Sequence, residues 1–260
     1  MGSAGVQGRL WGGAARDWAD HQEVVMTACY DAVFDALPLG TDMHMLDAGC
    51  GAGLAMQLAE KRGARPTGID AAAGMLSVAW ERLPRADVRH GELEELPFDD
   101  DVFDAAVAFD SLAYVEEPAA ALRELHRVVR PGAPVAVLAW AEPDRCRSSV
   151  VLDAVAALLP PSQPGGPGAF GLARDGALAE LATEAGLAVE SVAEVPVTFG
   201  YRSLDVALRA YLSTGAAQRA VAYVGRQAAA EAIAGALGSS LHEDGGYQMA
   251  NVFRYVVARG

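Results

Sequence analysis

The chain has 260 residues, of which 52% are hydrophobic and 21% charged, so it is long enough for one domain with a large core and too short for two full ones. Its 34 acidic residues outnumber 20 lysines and arginines and give a formal net charge of −14. This charge argues against a nucleic-acid partner and against an anionic membrane surface, because both bind basic faces.

The cysteines and the hydropathy pattern bear on the compartment. Cys29, Cys50 and Cys146 lie far apart without C-x-x-C spacing, which predicts reduced thiols rather than a disulfide framework or a metal site. No segment resembles a signal peptide, and no apolar run approaches the ~20 residues that span a membrane. We therefore expect a cytoplasmic protein with no metal site and no membrane partner.

The first forty residues precede the first strand and are expected to form a helical lid. Residues 1–13 are rich in glycine and are predicted to be loose, apart from Trp11. Residues 14–37 predict one helix, because apolar residues recur at spacings of three and four until Pro38 ends the pattern. The apolar residues of this stripe are Val24, Val25, Ala28, Cys29, Val33 and Phe34.

An apolar strand predicted at 43–47 leads into a glycine-rich turn. The turn reads MLDAGCGAG over residues 45–53, and a helix is predicted at 54–62. A strand, a glycine turn and a helix form the start of a nucleotide-binding βαβ unit. The glycines at every second position let a ligand approach the backbone more closely than a Cβ would permit.

The spacing of the glycines in this turn distinguishes between classes of nucleotide ligand. A dinucleotide motif, G-x-G-x-x-G, needs its third glycine one position later, and the absence of a following G-K-[ST] excludes a P-loop. Asp47, two residues before the first glycine, would repel a pyrophosphate but attract a cationic amino-acid group. Asp70 ends a second predicted strand at 66–70, where a carboxylate can accept hydrogen bonds from both hydroxyls of a ribose.

The next segments alternate between helix and strand. We predict a helix around residues 75–80, a short strand near Val88, a strand at 103–109, a helix from Pro118 to about Val129, and a strand at 134–140. This alternation predicts an α/β fold with a doubly wound sheet.

The last third of the chain departs from simple alternation. The predicted elements are a helix at 148–159, a Pro/Gly-rich loop at 160–171, a helix at 175–185, a strand at 188–197, a helical region at 203–240 and a strand at 249–259. The helical region before the last strand allows that strand to insert antiparallel. We expect a single domain over 1–260, with an N-terminal lid at 1–40 and cap insertions at about 144–172 and 201–240.

The combination D-x-G-x-G-x-G with a ribose-binding acid resembles motifs I and II of the class I S-adenosylmethionine-dependent methyltransferases. The segments GELEELPFDDDVFDAAVAFDSL and ALRELHRVVRPGAPVAVLAW resemble the ubiquinone/menaquinone-biosynthesis-like members, and many small-molecule and natural-product methyltransferases share this pattern. The resemblance covers roughly residues 43–140. It implies a Rossmann-like sheet of seven mostly parallel strands whose last strand is antiparallel.

The resemblance also implies a site for S-adenosylmethionine, with S-adenosylhomocysteine as product. The implied contacts are Asp47, Gly49, Gly51 and Gly53 for the methionine part, Asp70 for the ribose, Ala71, Met75, Glu92 and Leu93 for the adenine, and Phe109 for the sulfonium. Glu92 departs from the family pattern, which more often has Asp. Structural alternatives remain: Asp70 could cap a helix, Met75 could belong to the core, and Glu92 could be a solvated acid.

The residues expected to contact the methyl acceptor follow the fourth predicted strand. Asp110 and Tyr114 lie in the stretch that faces the acceptor in related enzymes and are candidates for a catalytic base, with His21 as a third. For each, a structural hydrogen bond is the alternative role. Aromatic side chains and the helices of 201–240 would enclose an apolar acceptor pocket, or would simply pack the cap; the side chains are Trp11, Trp18, Trp140 and Phe170.

These features predict methyl transfer from S-adenosylmethionine to a small, fairly apolar metabolite, as in natural-product biosynthesis. Oxygen or nitrogen acceptors are favoured, and carbon comes next. The alternatives are an S-adenosylmethionine-binding cyclase or rearrangement enzyme that does not methylate, and a non-catalytic binding partner. The exposed helices would allow a homodimer, although no sequence feature argues for one.

Overall fold

The computed structural model describes residues 3–160 and 166–260 of the chain, so residues 161–165 of the predicted Pro/Gly-rich loop lie outside the described residues. The described residues form one sheet of seven strands in the order β3-β2-β1-β4-β5-β7-β6. The strands are β1 (His44–Ala48), β2 (Arg65–Asp70), β3 (Asp87–His90), β4 (Ala105–Phe109), β5 (Pro134–Trp140), β6 (Ala188–Tyr201) and β7 (Tyr247–Arg259). Strands β1 to β5 pair in parallel, whereas β7 pairs antiparallel with both β5 and β6, so the predicted fold class is confirmed.

Helices cover both faces of this sheet. They are α1 (Ala4–Gly12), α2 (Ala15–Asp17), α3 (Thr27–Ala36), α4 (Leu54–Lys61), α5 (Ala73–Arg82), α6 (Pro118–Val128), α7 (Ser149–Ala156), α8 (Ala177–Glu184), α9 (Leu204–Leu212), α10 (Gly215–Val224) and α11 (Arg226–Leu237). In the described residues no helix is both long and apolar enough to cross a membrane.

The core has a separate apolar layer on each face of the sheet. Side chains of α3, α7 and α9–α11 pack on one face around Phe199 and Phe253, and side chains of α6 and α8 pack on the other around Leu122 and Leu125. Strand β4 contributes Val107 to one layer and Ala106 to the other, as expected for a strand buried on both sides.

The expectation that residues 1–13 are loose is wrong, because Ala4–Gly12 form the helix α1. Gly8 and Gly12 are four residues apart and therefore lie on one face of this helix. A Cβ on Gly8 would lie 2.2 Å from the carbonyl oxygen of Ala71, and a Cβ on Gly74 would lie 2.4 Å from that of Gly12. The glycines thus allow α1 to pack backbone to backbone against the start of α5.

The single helix predicted at 14–37 is also wrong. After α2 the backbone forms a π-helical turn (Trp18–Gln22) and a 3-10 turn (Glu23–Met26) before α3 begins. These changes of winding rotate the apolar stripe, so Val24 is 44% exposed while Gln22 and Glu23 are 4% and 3% exposed. Two polar side chains that belong to the lid are thereby buried.

Other boundaries shift by a few residues. Strand β4 begins at Ala105 rather than 103, because the Asp104 carboxylate accepts a hydrogen bond from the amide of His44 (2.8 Å) and pairs with Arg130. Strand β6 continues to Tyr201 rather than 197, because it pairs along almost the whole of β7. The predicted cap at 201–240 corresponds to three helices, α9 to α11.

Candidate functional site

A cavity of about 480 Å³ lies where the carboxyl ends of the parallel strands meet. Its floor is formed by residues that directly follow β1, β2, β3 and β4, and its roof by α1, the turns after α2 and the start of α10. A second cavity of about 460 Å³ lies at the opposite end of the strands, around Asp104 and Arg130, and contains none of the predicted site residues.

The glycine turn after β1 forms one wall of the larger cavity. The amides of Gly49 and Cys50 both donate to the carbonyl of Ile69 (2.8 and 3.0 Å), which fixes the turn against β2. Gly49 has a φ of +83°, and a Cβ there would lie 2.3 Å from the Cβ of Ser111. Gly49 and Gly51 line the cavity, whereas Gly53 lies behind it, in the left-handed conformation that begins α4.

Asp70 lines the cavity at the end of β2 and also holds the surrounding backbone. Its Oδ2 accepts a hydrogen bond from the amide of Gly51 (2.9 Å) and its Oδ1 from the amide of Ala72 (2.8 Å) at the start of α5. Burial raises the pKa of Asp70, and these amides oppose the shift. A carboxylate offers about four lone-pair positions, so two bonds to the backbone leave acceptor capacity for ribose hydroxyls.

Asp47 lies in β1, two residues before Gly49, is 1% exposed and is not among the described residues that line the cavity. In the described part of the chain neither of its carboxylate oxygens has a hydrogen-bond partner. Burial raises the pKa of Asp47 well above its usual range, and the negative charges of Glu23 and Asp70 add to the shift. A buried acid without a partner is rare in native proteins and fits a site that receives a cationic ligand group.

The predicted adenine contacts lie together at one end of the cavity. Ala71, Met75, Glu92 and Leu93 all line this end, next to Gly91. Met75 is 1% exposed and also packs in a small apolar cluster with Ala72 and Val78, so the core role and the cavity role coexist.

The predicted acceptor residues lie beyond Phe109, whose ring packs edge-on against Tyr30 with centroids 4.8 Å apart. Asp110 has a φ of +57°, and its Oδ2 accepts a hydrogen bond from the indole of Trp140 (3.0 Å). Its Oδ1 is buried and finds no partner in the described residues. Burial raises the pKa of Asp110 well above its usual range, and burial together with Asp110 raises that of Tyr114.

Three of the four predicted aromatic residues line the cavity. They are Trp11, Trp18 and Trp140; Phe170 instead packs against Trp140 with centroids 5.5 Å apart. His21 is not among the described residues that line the cavity. Of the three candidate bases, the structure therefore places Asp110 and Tyr114 at the cavity and not His21.

The sequence interpretation missed Glu23, Tyr30 and Arg82. Tyr30 lines the cavity, and Glu23 and Arg82 form a buried ion pair beside the glycine turn (2.6 Å). Tyr30 could have been found, because it follows the three- and four-residue spacing of Met26, Val33 and Phe34. Nothing in the local pattern marks Glu23, since a charged residue in a predicted lid helix is normally solvated.

Comparison with known proteins finds a family match for the part of the chain that carries most of strands β1 to β5. Residues 46–137 match the family model described as a methyltransferase domain. Malonyl-[acyl-carrier protein] O-methyltransferase from Serratia marcescens is 41% identical over 91 residues, which cover 34% of this chain and 35% of that protein. Demethylmenaquinone methyltransferase from Paenarthrobacter aurescens (strain TC1) is 32% identical over 111 residues, covering 43% of this chain and 44% of that protein.

The chain spans about a third to a half of the length of the curated relatives it matches. Among solved structures, the [4+2]-cyclase SpnF is similar in fold, with a TM-score of 0.58, 22% identity, and coverage of 89% of this chain and 79% of that one. The similarity to SpnF covers more of this chain than the sequence matches do, and at 22% identity it shows the fold alone.

Proposed function

We propose that this chain transfers a methyl group from S-adenosylmethionine to a small, fairly apolar metabolite, because residues 46–137 match the methyltransferase domain family. Acceptors that present an oxygen or nitrogen atom are favoured, and carbon comes next. The observation that carries the proposal is that one cavity is lined both by the glycine turn and Asp70, which follow or end β1 and β2, and by Asp110 and Trp140, which follow or end β4 and β5. A donor and an acceptor can meet inside it.

The donor end fits S-adenosylmethionine, which supplies a methyl group on a positively charged sulfur. Asp70 would accept from the ribose hydroxyls, while Ala71, Met75, Glu92 and Leu93 would surround the adenine. Asp47, which is buried at the end of β1 just before the glycine turn, would provide a negative charge for the cationic methionine part. The orphaned oxygens of Asp47 support this assignment.

The acceptor end is a largely apolar chamber. Its walls combine aromatic and aliphatic side chains from several elements, namely Met26, Tyr30, Trp140, Leu152, Leu159 and Tyr211. Such a lining favours an apolar acceptor and excludes water from the reacting atoms. The main contribution of the protein is alignment of acceptor and donor, which can lower a barrier by ~7–11 kcal/mol.

Asp110 and Tyr114 would act by orienting the acceptor. Burial raises the pKa of both groups and so favours their protonated forms. They can donate hydrogen bonds to an acceptor oxygen, but they are weak bases in that state. We therefore favour acceptors that ionise easily, such as phenols, enols or carboxylic acids.

A second candidate is an enzyme that binds S-adenosylmethionine and promotes a cyclisation or rearrangement without methyl transfer. The buried positions of Asp110 and Tyr114, which raise the pKa of both groups and favour their protonated forms, support it, because such a reaction needs no base for an acceptor. The fold shared with the cyclase SpnF is compatible with it. The methyltransferase relatives make methyl transfer the first choice.

The test is incubation of the protein with methyl-labelled S-adenosylmethionine and a metabolite extract, followed by mass spectrometry. We expect a new labelled species that disappears in Asp70→Ala and persists in Asp99→Ala, a control at an exposed acid. If S-adenosylhomocysteine binds but no label is transferred to any component, the non-methylating candidate replaces the first. If neither labelling nor binding occurs, both candidates fail.

A further inference from the structure

A 3-10 turn within the lid places a carboxylate against the glycine turn. Glu23 is 3% exposed and begins the 3-10 turn Glu23–Met26. Its Oε1 accepts a hydrogen bond from the amide of Leu54 (3.2 Å), and its Oε2 accepts one from Nη1 of Arg82 (2.6 Å). An acidic side chain is almost never buried to this extent unless it is paired.

Arg82 connects the same carboxylate to the other side of the turn. It is the last residue of α5, and its Nη1 also donates to the carbonyl of Ala52 (2.8 Å). The pair therefore holds Ala52 and Leu54, the two residues that flank Gly53. Because both bonds to the backbone involve a charged group, each is stronger than a neutral hydrogen bond.

The same lid segment also approaches Gly51. A Cβ on Gly51 would lie 3.8 Å from Nε1 of Trp18 and 3.9 Å from Oε1 of Glu23. Gly51 also donates its amide to Asp70. The conformation of the turn is thus fixed by Asp70 from β2 and by Glu23 from the lid.

We propose that Glu23 and Arg82 are positioning residues for the cofactor, which hold the glycine turn so that Gly49 and Gly51 present their backbone to its methionine part. The inference rests on the proposed function. It extends the cofactor site to the lid residues 18–26, which lie outside the segment matched by the methyltransferase family.

Electrostatics make the two residues depend on each other. Burial raises the pKa of Glu23, and the Arg82 guanidinium is the main opposing influence. Loss of Arg82 would raise the pKa of Glu23 further and so weaken the charge-assisted character of its bond to Leu54. We therefore expect the effects of substitutions at the two positions on ligand affinity to be non-additive in a double-mutant cycle.

The experiment is calorimetric titration with S-adenosylhomocysteine, which needs no knowledge of the acceptor. We expect Glu23→Gln to weaken binding by about 10- to 100-fold, the range for loss of a hydrogen bond to a charged group. Arg82→Lys keeps the charge with a shorter reach, so we expect a smaller loss of affinity. Should Glu23→Gln fail to fold, Arg82→Lys decides the question, and wild-type affinity in Arg82→Lys would then contradict the proposal.

Glu142→Gln is the control, because Glu142 pairs with the buried Arg254 (3.2 Å) and does not line the described part of the cavity. This control should lower the melting temperature and leave the affinity for S-adenosylhomocysteine unchanged. The same behaviour in Glu23→Gln would overturn the positioning role and leave a structural one. Absence of binding by the wild-type protein would instead refute the proposed function itself.

Discussion

Asp47 is a buried carboxylate whose protonation state is expected to make ligand binding depend on pH. Burial raises its pKa, and Glu23 and Asp70 raise it further. Because its pKa in the folded protein lies above that in the unfolded chain, the folded state binds the extra proton. The resulting stability is present in full below the unfolded pKa and is lost as the pH rises through the folded pKa.

A cationic ligand group beside Asp47 should release that proton. We expect S-adenosylhomocysteine, whose amino group is cationic, to bind more tightly as the pH rises toward the pKa that Asp47 has in the empty site. Titration calorimetry in buffers of different ionisation enthalpy would measure the released proton. Asp47→Asn should remove the proton release, and an unchanged release in that variant would assign it to another group.

Sequence reasoning located the polar residues that line the cavity at the strand ends better than the buried polar residues of the lid. Asp70 was predictable because a strand, a glycine turn and a second strand fix its place by local spacing alone. Glu23 was not, because its burial depends on Arg82, which lies 59 positions away in the chain. The role of Asp110 was predicted from its place after β4, but its hydrogen bond to Trp140 follows from the pairing of β4 with β5.

The helix α1 depends on one close contact with the loop after β2. A Cβ on Gly8 would lie 2.2 Å from the carbonyl oxygen of Ala71, so Gly8→Ala must displace the helix. We expect a loss of about 1–3 kcal/mol in stability, as in overpacked cores, together with weaker binding of S-adenosylhomocysteine. Thermal unfolding and titration calorimetry would measure the two effects.

Gly5→Ala provides the matched control in the same helix. A Cβ on Gly5 has no atom within 4 Å, and alanine is favoured over glycine in a helix by roughly 0.5–1 kcal/mol. Gly5→Ala should therefore leave ligand binding unchanged and raise the melting temperature slightly. Equal effects of the two substitutions would show that helix propensity, and not the contact with Ala71, controls the lid.

The lid helices were the elements least accessible to sequence patterns. Glycine in residues 1–13 was interpreted as local freedom, whereas Gly8 and Gly12 serve a close contact with α5 that no local window contains. The π-helical turn at Trp18–Gln22 likewise has no signal in apolar periodicity, because it changes the period itself. Strands β1, β4 and β5 were predictable because burial on both faces gives them short, nearly continuous apolar runs.

For the molecule as a whole, ligand binding should appear as added stability. S-adenosylhomocysteine at 100 times its Kd would stabilise the folded state by about 2.7 kcal/mol. Since 1 kcal/mol shifts the Tm by about 2–4 °C in domains near this size, we expect a rise of about 5–10 °C in thermal unfolding.

NAD is the control ligand for this measurement. It carries a pyrophosphate, and the glycine spacing together with Asp47 disfavours that group. We therefore expect no shift in Tm with NAD. A shift with NAD and none with S-adenosylhomocysteine would assign the cavity to a dinucleotide.

The contact between α1 and α10 constrains how the chain acquires its cavity. A Cβ on Gly215 would lie 2.7 Å from Nε1 of Trp11, so the first helix rests on a residue roughly two hundred positions further along the chain. Loop-closure entropy makes such a contact late to form, since the intervening sheet must first bring its two ends together. During synthesis, α1 can therefore dock only after α10 has been made, and the roof of the cavity is among the last parts of the molecule to assemble.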